Sequence, residues 1–123
     1  AMAAAALAYL DDGSAEQSAH ATAIALKNIL GLICDPVAGA VEVPCVKRNA
    51  LGVVNAMIAA DMALAGVKSA IPADDTVTAL CNVQAELPPS LRNSGHGGLC
   101  ASPTARRLIG ERYEKLARKA GLK

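Results

Sequence analysis

The hydrophobic and polar positions along the chain follow a helical period, and no stretch alternates convincingly at the period of two that is typical of strands. Turn residues divide this pattern into segments. The pattern predicts an all-α fold, with few strands or none, built from about five helices: residues 1–10, 14–30, 47–65, 72–86 and 104–120.

Local signals mark several of the predicted helix ends. Ser14 followed by Gln17 has the spacing of a capping box, and this predicts that the second helix begins at Ser14. Gly66 closes the third helix, because glycine is the usual residue just after a helix end. Ser102 and Pro103 have the order of a helix N-cap and a proline at the first helical position.

The third predicted helix is apolar nearly all round. Leu51, Val54 and Ile58 form one stripe along it, and Val53 and Met57 belong to a second stripe. Helices with apolar residues on every side are usually buried. We therefore expect this helix to lie in the interior of the fold.

The composition is unusual for a domain that stands alone. Hydrophobic residues make up 53% of the chain but aromatic residues only 2%, and the mean hydropathy is +0.31. Aromatic side chains normally supply much of the buried area of a small core. We therefore expect an alanine-rich part of something larger, whose apolar faces are covered by other segments or subunits. An ordinary alanine-rich helical bundle is the alternative.

Charge and apolar runs exclude several classes of protein. The formal net charge is +1, which gives no indication of nucleic-acid binding. The seven basic residues within 102–123 are best explained as a solvated helix face. We expect no membrane span, because the longest apolar run, residues 1–10, is too short. With no sign of export, the four cysteines are expected to be reduced thiols in a cytoplasmic protein.

Two cysteines are the candidate chemistry. Cys34 and Cys45 are predicted to lie in a loop that Pro36 and Pro44 stiffen, directly before the third helix. Thiolates are the usual ligands of iron–sulfur clusters, but the spacing matches neither a zinc half-site nor a ferredoxin motif. Spacing alone therefore leaves three interpretations open. These are a metal site at the two cysteines, a helical interaction module with structural buried cysteines, and a structural zinc site that uses all four cysteines.

Two segments carry a resemblance to a known family. Gly-Leu-Ile-Cys-Asp-Pro-Val-Ala-Gly at 31–39 and Val-Pro-Cys-Val-Lys-Arg-Asn-Ala at 43–50 closely resemble the α region of bacterial iron–sulfur-dependent L-serine dehydratases. Weaker similarity extends over nearly the whole chain, at residues 1–7, 23–28, 60–66, 71–74, 97–99 and 103–104. By this resemblance, residues 1–123 are the C-terminal portion of the catalytic, cluster-binding α domain.

The resemblance implies a lyase that converts L-serine to pyruvate and ammonia, in the amino-acid metabolism that feeds gluconeogenesis. It implies a [4Fe-4S] cluster held by three cysteines, with Cys34 and Cys45 as two of them and the third upstream of Ala1. One iron is then left open to act as a Lewis acid on the serine hydroxyl. The expected partners are the rest of the α region, the β domain and further copies in a homo- or hetero-oligomer. As a fragment, the isolated chain is expected to be inactive.

Three basic residues are weak candidates for substrate binding, and the catalytic base stays unassigned. Lys47 and Arg48 lie two and three residues after Cys45. There they either tune the cluster or hold a carboxylate, or are simply solvated or ion-paired. Arg92 matches a family arginine ahead of the Gly-Gly-Leu segment. Residues 93–96 depart from the family pattern, which puts a catalytic role of this loop in doubt. His96 is either a proton carrier or, more simply, an exposed loop histidine.

Overall fold

The computed structural model describes residues 1–39 and 42–121, and its regular structure is helical. Over these residues no strand forms, which confirms the all-α prediction. Three short 3₁₀ turns lie at Val37–Gly39, Pro89–Leu91 and Gly98–Ala101. The five longer helices are α1 (Met2–Leu10), α2 (Ala15–Lys27), α3 (Cys45–Leu64), α4 (Ala73–Glu86) and α5 (Pro103–Lys119).

The chain divides into two compact units. The first unit consists of Ala1–Leu32 and Asn49–Glu86, and the second consists of Ile33–Arg48 and Leu87–Lys123. The first unit therefore contains α1, α2, α4 and most of α3. The second contains the cysteine-bearing segment, with Cys34 and Cys45, the glycine-rich segment, with Gly95, Gly97 and Gly98, and α5.

The core of the first unit is made almost entirely of alanine. Small side chains let helix backbones approach closely, so this core packs tightly while each residue removes little apolar area from water. The amide of Gln17 adds a polar tie, donating to the carbonyls of Ala63 and Leu64 at 3.3 Å. The buried residues of this core are Ala4, Ala8, Ala21, Ile24, Ala25, Ala56, Ala59, Ala60 and Ala63.

The helix ends follow the local signals, with one exception. Gln17 N–H donates to Ser14 Oγ at 3.1 Å and Ser14 N–H donates to Gln17 Oε1 at 2.9 Å, which confirms the capping box. The predicted end of α2 near residue 30 is wrong, because the helix stops at Lys27. There the hydrogen bonds shift from four residues back to three, as in the bond from Leu30 N–H to the Lys27 carbonyl.

The prediction that the third helix is buried is wrong. On α3 only alanines are buried, whereas Val53, Met57 and Ile58 are 61%, 52% and 49% exposed. Within the first unit, the alanine face of α3 packs into the core, and the larger side chains of this helix stay uncovered. From the composition we expected such apolar faces to be covered by another segment or subunit. That expectation stays a prediction. In the described part of the chain, no helix is both long and apolar enough to cross a membrane.

Candidate functional site

Cys34 is fixed by its backbone while its side chain is exposed. Its N–H donates to the Leu91 carbonyl at 3.0 Å, and its own carbonyl accepts from Asn93 N–H at 2.7 Å. These bonds form a single parallel bridge between Cys34 and Arg92. The second unit therefore holds the backbone of this cysteine against the segment that follows Pro89–Leu91 and presents the thiol to solvent.

Cys45 is half-buried and is the first residue of α3. The expectation that both cysteines lie in irregular backbone is therefore wrong for Cys45. The helix starts here because Pro44 has a φ suited to a helix start, and its carbonyl accepts from the N–H groups of Lys47 and Arg48 at 3.0 and 3.1 Å.

Asp35 is the centre of the polar contacts in the second unit. Its carboxylate is only 1% exposed, and it accepts from Arg48 Nη1 at 2.6 Å through Oδ1 and from Leu99 N–H at 2.7 Å through Oδ2. Arg48 also donates to the Ile33 carbonyl at 3.0 Å. A buried carboxylate needs such partners, because an unpaired charge away from water is costly. Asp35 therefore ties the segment of Cys34 both to the start of α3 and to the glycine-rich segment.

Gly98 makes this arrangement possible. Its φ is +59°, a conformation that residues with a side chain rarely adopt. A Cβ at this position would also lie 2.8 Å from Asp35 Cβ and 2.9 Å from Asp35 Cγ. The backbone can therefore approach the Asp35 carboxylate only because residue 98 is glycine.

Cys100 closes the contacts around Asp35 from the other side. It is 3% exposed, and its Sγ donates to the carbonyls of Asp35 and Pro36 at 3.3 and 3.0 Å. Burial raises the pKa of the Cys100 thiol, and the negative charge of Asp35 raises this pKa further. Cys100 is thus a buried thiol whose surroundings favour the protonated form.

We expect Cys100 to react more slowly with iodoacetamide than Cys34 or Cys81, which are both exposed. The thiolate is the reacting form, and a raised pKa lowers its fraction at any pH below that pKa. Peptide mass spectrometry at a series of pH values measures each rate. The Cys100 rate should still be rising at a pH where an ordinary thiol has reached its plateau. Equal rates at all three cysteines in the folded chain would contradict the expectation.

The predicted substrate residues have different surroundings. Lys47 is exposed in the first turn of α3, and Arg92 is exposed beside the backbone of Cys34. Arg48 is ion-paired with Asp35, so its guanidinium already serves a buried carboxylate. Nothing in this geometry tests the substrate roles of these three residues, which stay predictions.

Cys34 and Cys45 have the donor chemistry of a metal site. Both are free thiols of the second unit, and thiolates are the ligands that iron–sulfur clusters use. Within residues 1–39 and 42–121, no group of three or more His, Cys, Asp or Glu side chains is placed to hold a metal ion. The cluster role of the two cysteines and the zinc site of four cysteines both stay predictions.

The two other cysteines differ in their burial. Cys81 is exposed on α4, so it does not pack in the core as a small hydrophobic residue would. Cys100 is buried. Helical periodicity could not separate the two cases, because the partner that covers Cys100 is the distant segment of Asp35 and Pro36.

Sequence reasoning missed the role of Asp35. In this segment we assigned a role only to Pro36, as a residue that stiffens the loop, and none to Asp35. Its partners Arg48 and Leu99 are 13 and 64 residues away, so no local spacing indicates them. The pair Gly97-Gly98 was the one available signal, because a close backbone approach requires glycine.

Comparison with known proteins gives consistent matches. The family model described as serine dehydratase alpha chain matches residues 1–100. The chain is 61% identical over 107 residues to the probable L-serine dehydratase, alpha chain, of Bacillus subtilis, covering 87% of this chain and 36% of that protein. It is 50% identical over 108 residues to the L-serine dehydratase, alpha chain, of Peptoniphilus asaccharolyticus, covering 88% and 37%.

A third relative is the probable L-serine dehydratase, alpha chain, of Latilactobacillus sakei. It is 56% identical over 104 residues, which cover 85% of this chain and 50% of that protein. The chain therefore spans between about a third and a half of the length of these curated relatives. No solved structure matches the chain significantly.

Proposed function

Because this chain belongs to the serine dehydratase alpha chain family, we propose that it works as part of an L-serine dehydratase that converts L-serine to pyruvate and ammonia. The observation that carries the proposal is the 61% identity to a probable L-serine dehydratase alpha chain over 87% of this chain. The matched residues include the cysteine-bearing segment, since the family model covers residues 1–100.

We propose that Cys34 and Cys45 are two of the three ligands of a [4Fe-4S] cluster, and that the third comes from a segment ahead of Ala1 in the longer enzyme. Two features support this. Both thiols are free, and neither is enclosed in an apolar interior. When bound, a cluster with one iron that lacks a protein ligand supplies a Lewis acid for the substrate hydroxyl.

The residues around these thiols have positioning and binding roles in the proposal. Asp35 and Arg48 hold the segment of Cys34 against the start of α3, which carries Cys45. Lys47 and Arg92 are the exposed cations beside the two cysteines and would hold the carboxylate of L-serine. The N-terminal amides of α3 favour the same negative charge.

Further parts of the enzyme complete the proposed site. We propose that the remaining α region and the β domain, in a homo- or hetero-oligomer, cover apolar side chains such as Val53 and Met57. The partial coverage of the curated relatives supports this. An isolated chain of residues 1–123 would then turn over no serine. Four free cysteines fit a reducing, cytoplasmic setting.

The test is metal analysis of the longer enzyme that contains this chain, purified without oxygen. Cys34→Ser and Cys45→Ser are each expected to lose most of the bound iron and acid-labile sulfide, the visible absorbance and the formation of pyruvate from L-serine. Cys81→Ser is the matched control, because Cys81 is an exposed cysteine of α4, and it should keep all of these.

Two outcomes would overturn parts of the proposal. Full iron and sulfide in both variants would exclude Cys34 and Cys45 as ligands. An enzyme that is colourless after reconstitution and inactive on serine would instead favour a helical interaction module, in which the uncovered apolar face of α3 is the functional surface.

A further inference from the structure

The second unit contains a cavity that the proposed function does not use. Its volume is about 540 Å³, within the range of about 300–1,000 Å³ that is typical of ligand pockets. Three parts of this unit form its walls: the segment around Pro36 and Ala38, the loop of residues 93–96, and one face of α5. Neither Cys34 nor Cys45 lines it, although the lining residue Asn93 donates its N–H to the Cys34 carbonyl at 2.7 Å. The cavity therefore lies beside the segment of Cys34 without including either cysteine.

The lining combines one permanent cation with several other polar side chains. Arg106, Ile109 and Tyr113 lie on one face of α5, at spacings of three and four residues, and all line the cavity. Asn93 and His96 contribute an amide and an imidazole from the opposite loop. Among the described residues that line the cavity there is no carboxylate. The lining therefore favours a negatively charged occupant.

Arg106 is exposed and forms no ion pair within the described part of the chain. Arg107 pairs with Glu111 at 2.7 Å and Arg118 with Glu114 at 3.7 Å, so the two carboxylates of α5 serve other arginines. The first turn of α5 also contains no acidic residue. Near the N-terminus of a helix the dipole favours an anion, so it adds modestly to the attraction of Arg106 for a negatively charged ligand.

The loop of residues 93–96 is shaped by its own contacts. Ser94 Oγ donates to the Ser90 carbonyl at 2.8 Å and accepts from His96 N–H at 3.1 Å. Asn93 N–H donates to the Cys34 carbonyl at 2.7 Å. This wall of the cavity is therefore formed before any ligand arrives, as expected of a binding pocket.

From these observations we infer that the cavity binds a small organic monocarboxylate, with the carboxylate on Arg106 and the carbon skeleton against Pro36, Ala38 and Ile109. One guanidinium matches one carboxylate, whereas a phosphate dianion generally requires more cationic or amide donors. The α-keto acids are the class in question, because an α-amino acid adds an ammonium group for which the described lining offers no carboxylate. Pyruvate is the probe, because the proposed function makes it the product.

The test is titration of the metal-free form of the longer enzyme that contains this chain, followed by ¹H–¹⁵N correlation spectra. Pyruvate should shift the amides of Asn93, His96 and Arg106 in a saturable way, and inorganic phosphate and L-serine should bind more weakly. Arg106→Gln should weaken carboxylate binding about tenfold or more, because a charge-assisted pair is lost. Arg107→Gln is the matched control, since Arg107 is its neighbour on α5 but pairs with Glu111, and it should bind like the unchanged chain.

The outcomes separate this inference from the proposed function. The titration needs no cluster, so failure of Cys34 and Cys45 as ligands would leave it unaffected. Three results would each overturn the inference: no saturable shifts with pyruvate, pyruvate binding by Arg106→Gln as tight as by the unchanged chain, or phosphate binding as tight as pyruvate binding. The same spectra show whether Arg106→Gln is folded. Should it unfold, Arg106→Lys, which keeps the charge but loses the two-pronged contact, should still weaken binding.

Discussion

Replacing Asp35 with alanine is expected to lower the free energy of unfolding of the chain by about 3–5 kcal/mol, as found when one partner of a buried ion pair is removed. The carboxylate is 1% exposed and accepts from Arg48 Nη1 and Leu99 N–H, so its removal leaves two donors without their acceptor. Urea unfolding followed by circular dichroism measures the change.

Two variants show whether this effect comes from the buried pair. Glu111→Ala removes a carboxylate of the same kind of pair, with Arg107, but Glu111 is 56% exposed and should contribute no more than about 1 kcal/mol. Asp35→Asn keeps the size of the side chain yet offers one acceptor oxygen where two are used, so it should also destabilise the chain. If Asp35→Ala lost no more stability than Glu111→Ala, Asp35 would not be the centre of the second unit.

Replacing Gly98 with alanine is expected to lower the free energy of unfolding by about 2–4 kcal/mol, the sum of a strained backbone and an overpacked contact. The φ of +59° is unfavourable for alanine, and the new methyl group would lie 2.8 Å from Asp35 Cβ. Urea unfolding again gives the size of the loss. Since the methyl group also approaches the Asp35 carboxylate, the variant should weaken the bond from Leu99 N–H.

Gly110 provides the matched control for this substitution. It lies within α5, and a Cβ there would meet no atom within 4 Å. Gly110→Ala should therefore raise the free energy of unfolding by about 0.5–1 kcal/mol, because alanine favours a helix interior more than glycine does. Equal effects at Gly98 and Gly110 would show that the approach to Asp35 does not constrain residue 98.

The sequence predicted the helices well wherever a local signal marked their ends. Ser14 with Gln17 fixes the start of α2, and Pro103 fixes the start of α5, because such caps depend on neighbouring residues only. The end of α2 was misplaced by three residues, since the change to three-residue hydrogen bonds after Lys27 has no clear marker in the sequence. The family, too, was indicated by short segments of sequence.

The site was harder to predict because its contacts join distant segments. Asp35 meets Leu99 across 64 residues, and Cys100 is buried only because it reaches the carbonyls of Asp35 and Pro36. The exposure of Val53 and Met57 on α3 depends on which elements cover that helix, and periodicity shows only that the helix is apolar. Spacing alone likewise could not separate metal-binding from structural cysteines.

The alanine core of the first unit has a consequence for how its stability depends on temperature. The heat capacity increment of unfolding grows with the apolar surface that becomes hydrated, and methyl groups such as those of Ala59, Ala60 and Ala63 expose little of it. A small increment flattens the stability curve. Cooling or warming around the optimum therefore changes the folded population of such a helical unit less than that of a bundle built on leucine and phenylalanine.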